Sequence, residues 1–192
     1  MAYVTYTTEA LVCGTQNRNT SDRTYLLFTR EAGMLFATAR SAREERSKQR
    51  YALQDFSLVR VSLVKGKTGW RVGSIAAQQN YYHQSTDKYA RGSIVAVCRL
   101  LRRFVRGEES NTQLFDYTIA ALDELVNDTP DRQFVELVAQ LHILGFLGYV
   151  DVKRIPQPLY EANPATIAQQ YSEPSMQQVT QLYNQAVTTS DL

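Results

Sequence analysis

The sequence predicts an α+β protein in which a small β-barrel precedes a bundle of helices, and three observations carry that prediction. Up to Ala76 the apolar residues fall in short runs separated by turn residues, whereas beyond it they recur at helical spacing. Gly33, Gly66 and Gly69 punctuate the first part at the positions of tight turns. Charge divides at the same place: residues 1–80 hold twelve Lys and Arg against six Asp and Glu, so a net +6 precedes a remainder of −4. A basic module for a polyanion, joined to a part with another task, is the reading this asymmetry supports.

The strands follow from local pattern. Residues 3–15, rich in Thr, Tyr and Val, read as a strand running into the turn-forming stretch 16–22. Residues 25–28 form a second strand, 31–33 the turn, and 34–39 a third strand, antiparallel because so short a link cannot make a parallel crossover. A long basic loop leads to strands at 56–65 and 70–75, joined by the glycines of 65–69. Closing these strands into a barrel removes exposed edges, and an oligonucleotide-binding (OB) barrel is the first choice. An SH3-like barrel or a small sandwich would show the same periodicity. The division drawn is residues 1–78 for an OB-fold nucleic-acid-binding domain and 79–192 for a helical domain with a frayed C-terminal tail.

Helices follow. Ile94, Val97, Leu101, Phe104 and Val105 make one stripe, ended at Gly107. Leu114, Phe115, Thr118, Leu122 and Leu125 make another, with Asn111 and Thr112 as caps. Phe134, Val138, Leu141 and Leu144 form a third, opened by Asp131, and a last helix opening near Ser172 uses Met176, Val179, Tyr183 and Ala186. These stripes are core rather than ligand-binding faces.

The candidate sites are cationic. Arg40, Arg43, Arg46, Lys48 and Arg50 lie on the loop between the third and fourth strands, where they fan out along a phosphate backbone without reading sequence. Arg18, Arg23, Lys65 and Lys67, in other barrel connections, extend the track. Tyr51, beside the loop, is the preferred stacking residue; Tyr25, Phe36 and Trp70 are further candidates, with core the preferred place for Phe36 and Trp70. Arg99, Arg102, Arg103 and Arg106 fall on one face of the first long helix and suit an acidic peptide tail or a continued DNA track. Arg132 is a weaker candidate for that role.

Other classes are disfavoured. Every apolar run is shorter than the roughly 18 residues that span a bilayer, and the N-terminus lacks a signal pattern, so the expectation is a cytoplasmic, nucleoid-associated protein without a membrane partner. Cys13 and Cys98 are expected to be reduced. His83 and His142 have no partners at metal-ligand spacing, and no nucleophile–base pair can be assembled, so neither a metal, a cofactor nor an enzyme is expected. The sequence Gly66-Lys67-Thr68 echoes a phosphate-binding loop, but Val61 stands where its first glycine belongs and no helix follows.

Several stretches resemble a known family. Thr8-Glu9-Ala10-Leu11-Val12, Ser21-Asp22, Phe28-Thr29-Arg30-Glu31-Ala32-Gly33, Ala39-Arg40-Ser41-Ala42-Arg43 and Leu53-Gln54-Asp55-Phe56 are similar, in order and spacing, to the N-terminal domain of the RecO family of bacterial DNA repair proteins. Leu114-Phe115-Asp116-Tyr117 and Leu144-Gly145-Phe146-Leu147-Gly148-Tyr149 resemble landmarks of its helical part. The resemblance implies an OB barrel followed by helices, and a recombination mediator of the RecF pathway. Such a protein binds single- and double-stranded DNA, anneals complementary strands, contacts the acidic C-terminal tail of the single-strand-binding protein and loads recombinase with RecR. This sequence departs from the family at Ser41, where glycine is common, and at Asp55, where proline is usual, so a differently shaped loop is expected. The four-cysteine zinc cluster of many relatives is absent, and the C-terminal end looks short. A non-catalytic adaptor of repair proteins and an RNA-binding OB protein stand as competing readings.

Overall fold

The computed structural model of the protein describes residues 5–17 and 21–189, apart from the side chains of Lys48 and Thr189. Arg18 of the candidate phosphate track and residues 190–192 of the expected frayed tail lie outside the described residues. The chain forms two compact units, Met1–Gln84 with Leu101–Phe115, and Ser85–Leu100 with Asp116–Leu192.

In the first unit, strands β1 (Thr5–Asn17), β2 (Arg23–Thr29), β3 (Gly33–Ala39), β4 (Ser57–Gly66) and β5 (Gly69–Asn80) close into a barrel in the order β1-β2-β3-β5-β4. All neighbours pair antiparallel except β3 and β5, which meet in parallel at Ala37 with Trp70 and Thr38 with Arg71. This is the OB barrel that the sequence favours, followed by helices in an α+β protein. Side chains alternate across each strand, so Val12, Tyr25, Leu27, Leu35, Val61, Leu63 and Trp70 fill the interior. Burying each of the larger ones contributes about 1.5 to 3 kcal/mol. β5 continues past its predicted end at residue 75 because Ala76, Ala77, Gln79 and Asn80 go on pairing with β4, across two irregularities in the register. Gly73 sits at one of them, where a Cβ would come 2.8 Å from the Ser62 hydroxyl oxygen.

The β2–β3 hairpin turns at Gly33, whose φ of +63° lies in the region glycine adopts without strain. Space makes the same demand there, since a Cβ would come 2.4 Å from the Glu109 carbonyl oxygen and 2.9 Å from that of Gly107. The Met34 N–H donates to the Gly107 carbonyl at 3.0 Å, and the Phe28 ring meets Phe115 at 5.3 Å. The segment Leu101–Phe115 is therefore held against the hairpin half of the outer sheet face, over Phe28 and Met34. Between β3 and β4 the predicted loop contains a short helix, α1 (Lys48–Ala52), because the turns from Ser41 onward hand backbone hydrogen bonds directly into it. A second short helix, α2 (Tyr81–Gln84), follows β5.

The longer helices are α3 (Lys88–Phe104), α4 (Thr112–Leu125), α5 (Arg132–Phe146) and α7 (Glu173–Thr189), with a four-residue α6 (Gln157–Tyr160) before the last. Asp87 caps α3, its carboxylate accepting from the N–H groups of Tyr89 and Ala90 at 2.8 and 2.7 Å, and those bonds lower its pKa. Asn111 caps α4 as predicted, accepting from the Leu114 N–H at 2.9 Å. Asp131 opens α5 through its backbone carbonyl rather than its side chain, with φ at +48°. Ser172 caps α7 through its hydroxyl. In the second unit Val135, Val138, Leu141, Leu144, Leu159, Ile167 and Val179 are buried. His142 is buried with them, its ring stacked between Tyr117 at 4.9 Å and Tyr160 at 6.1 Å. Its Nε2 lies 3.0 Å from the Leu159 carbonyl, which only accepts, so that nitrogen carries the proton of a neutral ring.

Replacing Gly33 by alanine is expected to cost at least about 2 kcal/mol, since left-handed strain adds to a backbone collision. Gly148→Ala, at φ +79° with nothing within 4 Å, should cost about 1 kcal/mol from strain alone. Urea unfolding of both variants checks the contrast. Burial lowers the His142 pKa below 6.5, against the raising effect of the Leu159 carbonyl. Its neutral form is thus favoured in the fold, so its stability contribution is fully present above 6.5 and is lost as pH falls through the window down to the native value. Wild-type protein should lose more stability than His142→Gln on going from about pH 7.5 to about pH 5.5, read from urea midpoints.

Candidate nucleic-acid interface

The loop between β3 and β4 is basic by composition and fixed by packing. Ala42 and Leu53 are buried in the barrel core at its two ends, so the intervening turns are anchored to the barrel. The Ser41 N–H donates to the Asp22 carboxylate and the Arg43 N–H to the Ser21 carbonyl, both at 3.0 Å. Ser41 itself takes φ +53°, a conformation a glycine there would adopt more readily. The irregularity that the sequence leads one to expect at this position is thus a strained residue within an ordered turn. Asp55, the other departure, accepts from the Thr15 hydroxyl at 2.5 Å and ties the end of the loop to β1.

Arg40, Arg43, Arg46 and Arg50 are all exposed on this anchored loop, and Tyr51 is 66% exposed beside them. Among the described residues no ion pair engages Arg40, Arg46 or Arg50. Arg23, half-buried, and Arg50 line an open cleft of about 500 Å³ together with Gln54, Phe56, Tyr82 and His83. Phe56 and Tyr82 stack there at 5.5 Å, and Phe56 holds φ +69°. Sequence reasoning missed this cleft, because it joins β1, β2, α1 and α2 at positions far apart in the chain.

The other candidates divide. Lys67 is exposed in the β4–β5 turn. Lys65 is committed to Glu108 at 3.1 Å and lies 4.9 Å over the Trp70 ring. Although burial works against it, the Lys65 ammonium holds the Glu108 carboxyl below its usual value. Lys65 is therefore partly offset by an acid while its side chain stays exposed. Tyr25 is fully buried and Trp70 is 7% exposed, which removes both as stacking platforms. Phe36, expected in the core, is 55% exposed. Its place on β3 alternates with the inward Leu35 and Ala37, so the pleat turns it outward.

The basic helix face is shorter than predicted. Arg99, Arg102 and Arg103 are exposed on α3, but α3 ends at Phe104, leaving Arg106 in the turn before Gly107, where φ is +76°. Arg103 lies 4.9 Å over the Phe104 ring. Arg102 leans over β1, its guanidinium carbon 3.5 Å from where a Cβ on Gly14 would stand. Arg132 donates to the carbonyls of Leu125 and Asn127 at the end of α4, which satisfies orphan carbonyls there and commits its guanidinium to structure.

Comparison with known proteins assigns both parts to one family. The family model described as recombination protein O N terminal matches residues 1–76, and the one described as recombination protein O C terminal matches residues 86–150. Among curated proteins the chain is similar to the DNA repair protein RecO of Desulfitobacterium hafniense, with 28% identity over 75% of this chain and 52% of the relative. The protein of that name from Dehalococcoides mccartyi is 26% identical over 75% of this chain and 56% of its own. That from Clostridium novyi is 25% identical with the same coverage. The chain spans about half the length of these curated relatives.

Proposed function

The chain belongs to the RecO family, and from that premise we propose that it is a non-catalytic DNA repair and recombination protein that binds DNA through its barrel. It binds single and double strands, anneals complementary strands, and works with RecR and the acidic tail of the single-strand-binding protein in loading recombinase. The observation that carries the reading is the set of exposed arginines 40, 43, 46 and 50 on a loop pinned to the barrel at Ala42 and Leu53. Cations on a fixed loop bind phosphate without ordering the loop at the moment of binding, so less entropy is lost. Their contacts are to backbone phosphate, which carries no sequence information, as an annealing protein requires.

Lys67 extends this cationic set, and Lys65, exposed but paired with Glu108, contributes less to it. Arg99, Arg102 and Arg103, exposed on α3, are the proposed contacts for an acidic tail, whereas the Arg132 guanidinium is held by the carbonyls of Leu125 and Asn127. Among the described residues no helix is long and apolar enough to cross a membrane.

Titration of a labelled oligonucleotide at several salt concentrations tests the reading. Five phosphates neutralised on a single strand give a slope of log affinity against log salt of about −3.5, or about a hundredfold loss between 50 and 200 mM. The triple variant Arg40→Gln, Arg43→Gln, Arg46→Gln should reduce the magnitude of that slope by about 2. A salt-independent binding curve would remove this loop as the main determinant, and no binding with partner contacts intact would instead identify an adaptor. Equal affinity for RNA with no strand annealing would identify an RNA-binding protein.

A further inference from the structure

Phe56, in the cleft formed by β1, β2, α1 and α2, takes φ +69°, a conformation that a bulky side chain adopts only when its surroundings impose it. Hydrogen bonds do so here. The Phe56 N–H donates to the Val12 carbonyl at 2.8 Å, and the Phe56 carbonyl accepts from the Tyr81 N–H at 3.1 Å. The Asn80 amide nitrogen donates to the Asp55 carbonyl, and its oxygen accepts from the His83 N–H, both at 3.0 Å. The Phe56 ring is thereby held against Tyr82, with centroids 5.5 Å apart and planes within 22°. Tyr82 is 38% exposed, so the pair presents an aromatic surface. Two guanidiniums border the same cleft. Arg50 is exposed, and Arg23 is half-buried with an Nε that no hydrogen bond satisfies. Among the described residues neither is within ion-pair distance of an acid. A half-buried cation without a counter-ion is unfavourable, and an anion brought to it offsets the deficit. Asp55 lines the cleft as well; its Oδ1 accepts from the Thr15 hydroxyl at 2.5 Å, which leaves Oδ2 to accept from another donor.

We propose that this cleft binds a free nucleoside phosphate, its phosphate held by Arg23 and Arg50, its base stacked on Tyr82, and a ribose hydroxyl donating to Asp55. Each part of such a ligand meets its chemical complement. A guanidinium recognises phosphate through paired N–H donors. An aromatic ring accepts any base, because every base has a π-face. A carboxylate is a strong acceptor for a ribose hydroxyl, and it repels the phosphodiester of a passing strand. In DNA the 2′ hydroxyl is absent and the internal 3′ hydroxyls are esterified, so Asp55 distinguishes a free nucleotide from one within a strand. The volume of about 500 Å³ also falls among small-ligand sites rather than grooves that track a polymer. Arg50 belongs to the basic loop too, so on the DNA-binding reading the ligand and a DNA strand compete for one cation.

Calorimetric titration of the full chain with ADP, in the absence of DNA, tests the cleft. Wild type should bind ADP saturably, with adenosine and inorganic phosphate each weaker by about tenfold or more. Tyr82→Ala should weaken ADP about tenfold and leave inorganic phosphate unchanged, whereas Tyr82→Trp should retain ADP affinity. Arg23→Gln should weaken both ADP and phosphate by about tenfold. Wild type should prefer ADP to its 2′,3′-dideoxy analogue, and Asp55→Ala should bind the two alike. Circular dichroism of each variant should match wild type. No saturable ADP binding by a folded wild-type chain that still binds an oligonucleotide overturns the cleft and leaves the DNA-binding reading standing. Equal affinity for inorganic phosphate and ADP reduces the cleft to an anion site and overturns the proposal, as does ADP affinity unchanged in both Tyr82→Ala and Arg23→Gln. Affinity for a 5′-phosphorylated oligonucleotide that Tyr82→Ala weakens, with none for ADP, overturns it in favour of a DNA end.

Discussion

The approach of the Gly33 backbone to Gly107 and Glu109 is the contact from which much of the first unit follows. A carbonyl oxygen 2.4 Å from a would-be Cβ leaves room for hydrogen alone, and the φ of +63° makes the same demand independently. With that glycine in place the Met34 N–H finds the Gly107 carbonyl, and Phe28 finds Phe115. The segment Leu101–Phe115 then covers one row of the outer sheet face and stops short of the next. Arg102 comes to β1 and Phe36 stays in solvent as results of where that segment rests.

The chemistry of the barrel surface divides between charge and stacking. Arginines on the β3–β4 loop are held by buried anchors and face water, an arrangement suited to a polyanion of any sequence. Two other cations make contacts within the fold. Lys65 offsets Glu108, and Arg132 satisfies carbonyls at the end of α4. The proposed track is therefore narrower than net charge alone would suggest.

Much of the fold was legible because its signals are local. Alternation marked the strands, the Gly33 turn marked the hairpin, and Asn111 and Ser172 marked helix starts by cap chemistry. Contacts between distant residues were less legible. The run Leu101–Phe104–Val105 reads as the core stripe of a bundle helix, yet its segment groups with the barrel, which no periodicity reveals. Phe36 looked like core because apolar residues flank it on both sides; only the register with Leu26 shows that it points outward. Arg106 looked helical because spacing continues past the point where α3 stops. The cleft holding Arg23, Arg50 and Phe56 draws on four elements and had no sequence signature. The 3-10 helices at Val152–Arg154 and Pro164–Gln170 were hidden in a stretch that reads as polar and proline-rich.

The claim that DNA lies on the barrel, along the basic loop, is tested most directly by photocrosslinking. An oligonucleotide carrying a photoreactive pyrimidine is irradiated with the full chain, and the attached residues are located by mass spectrometry. The account predicts adducts at Tyr51. Adducts confined to residues 116–189 would contradict it.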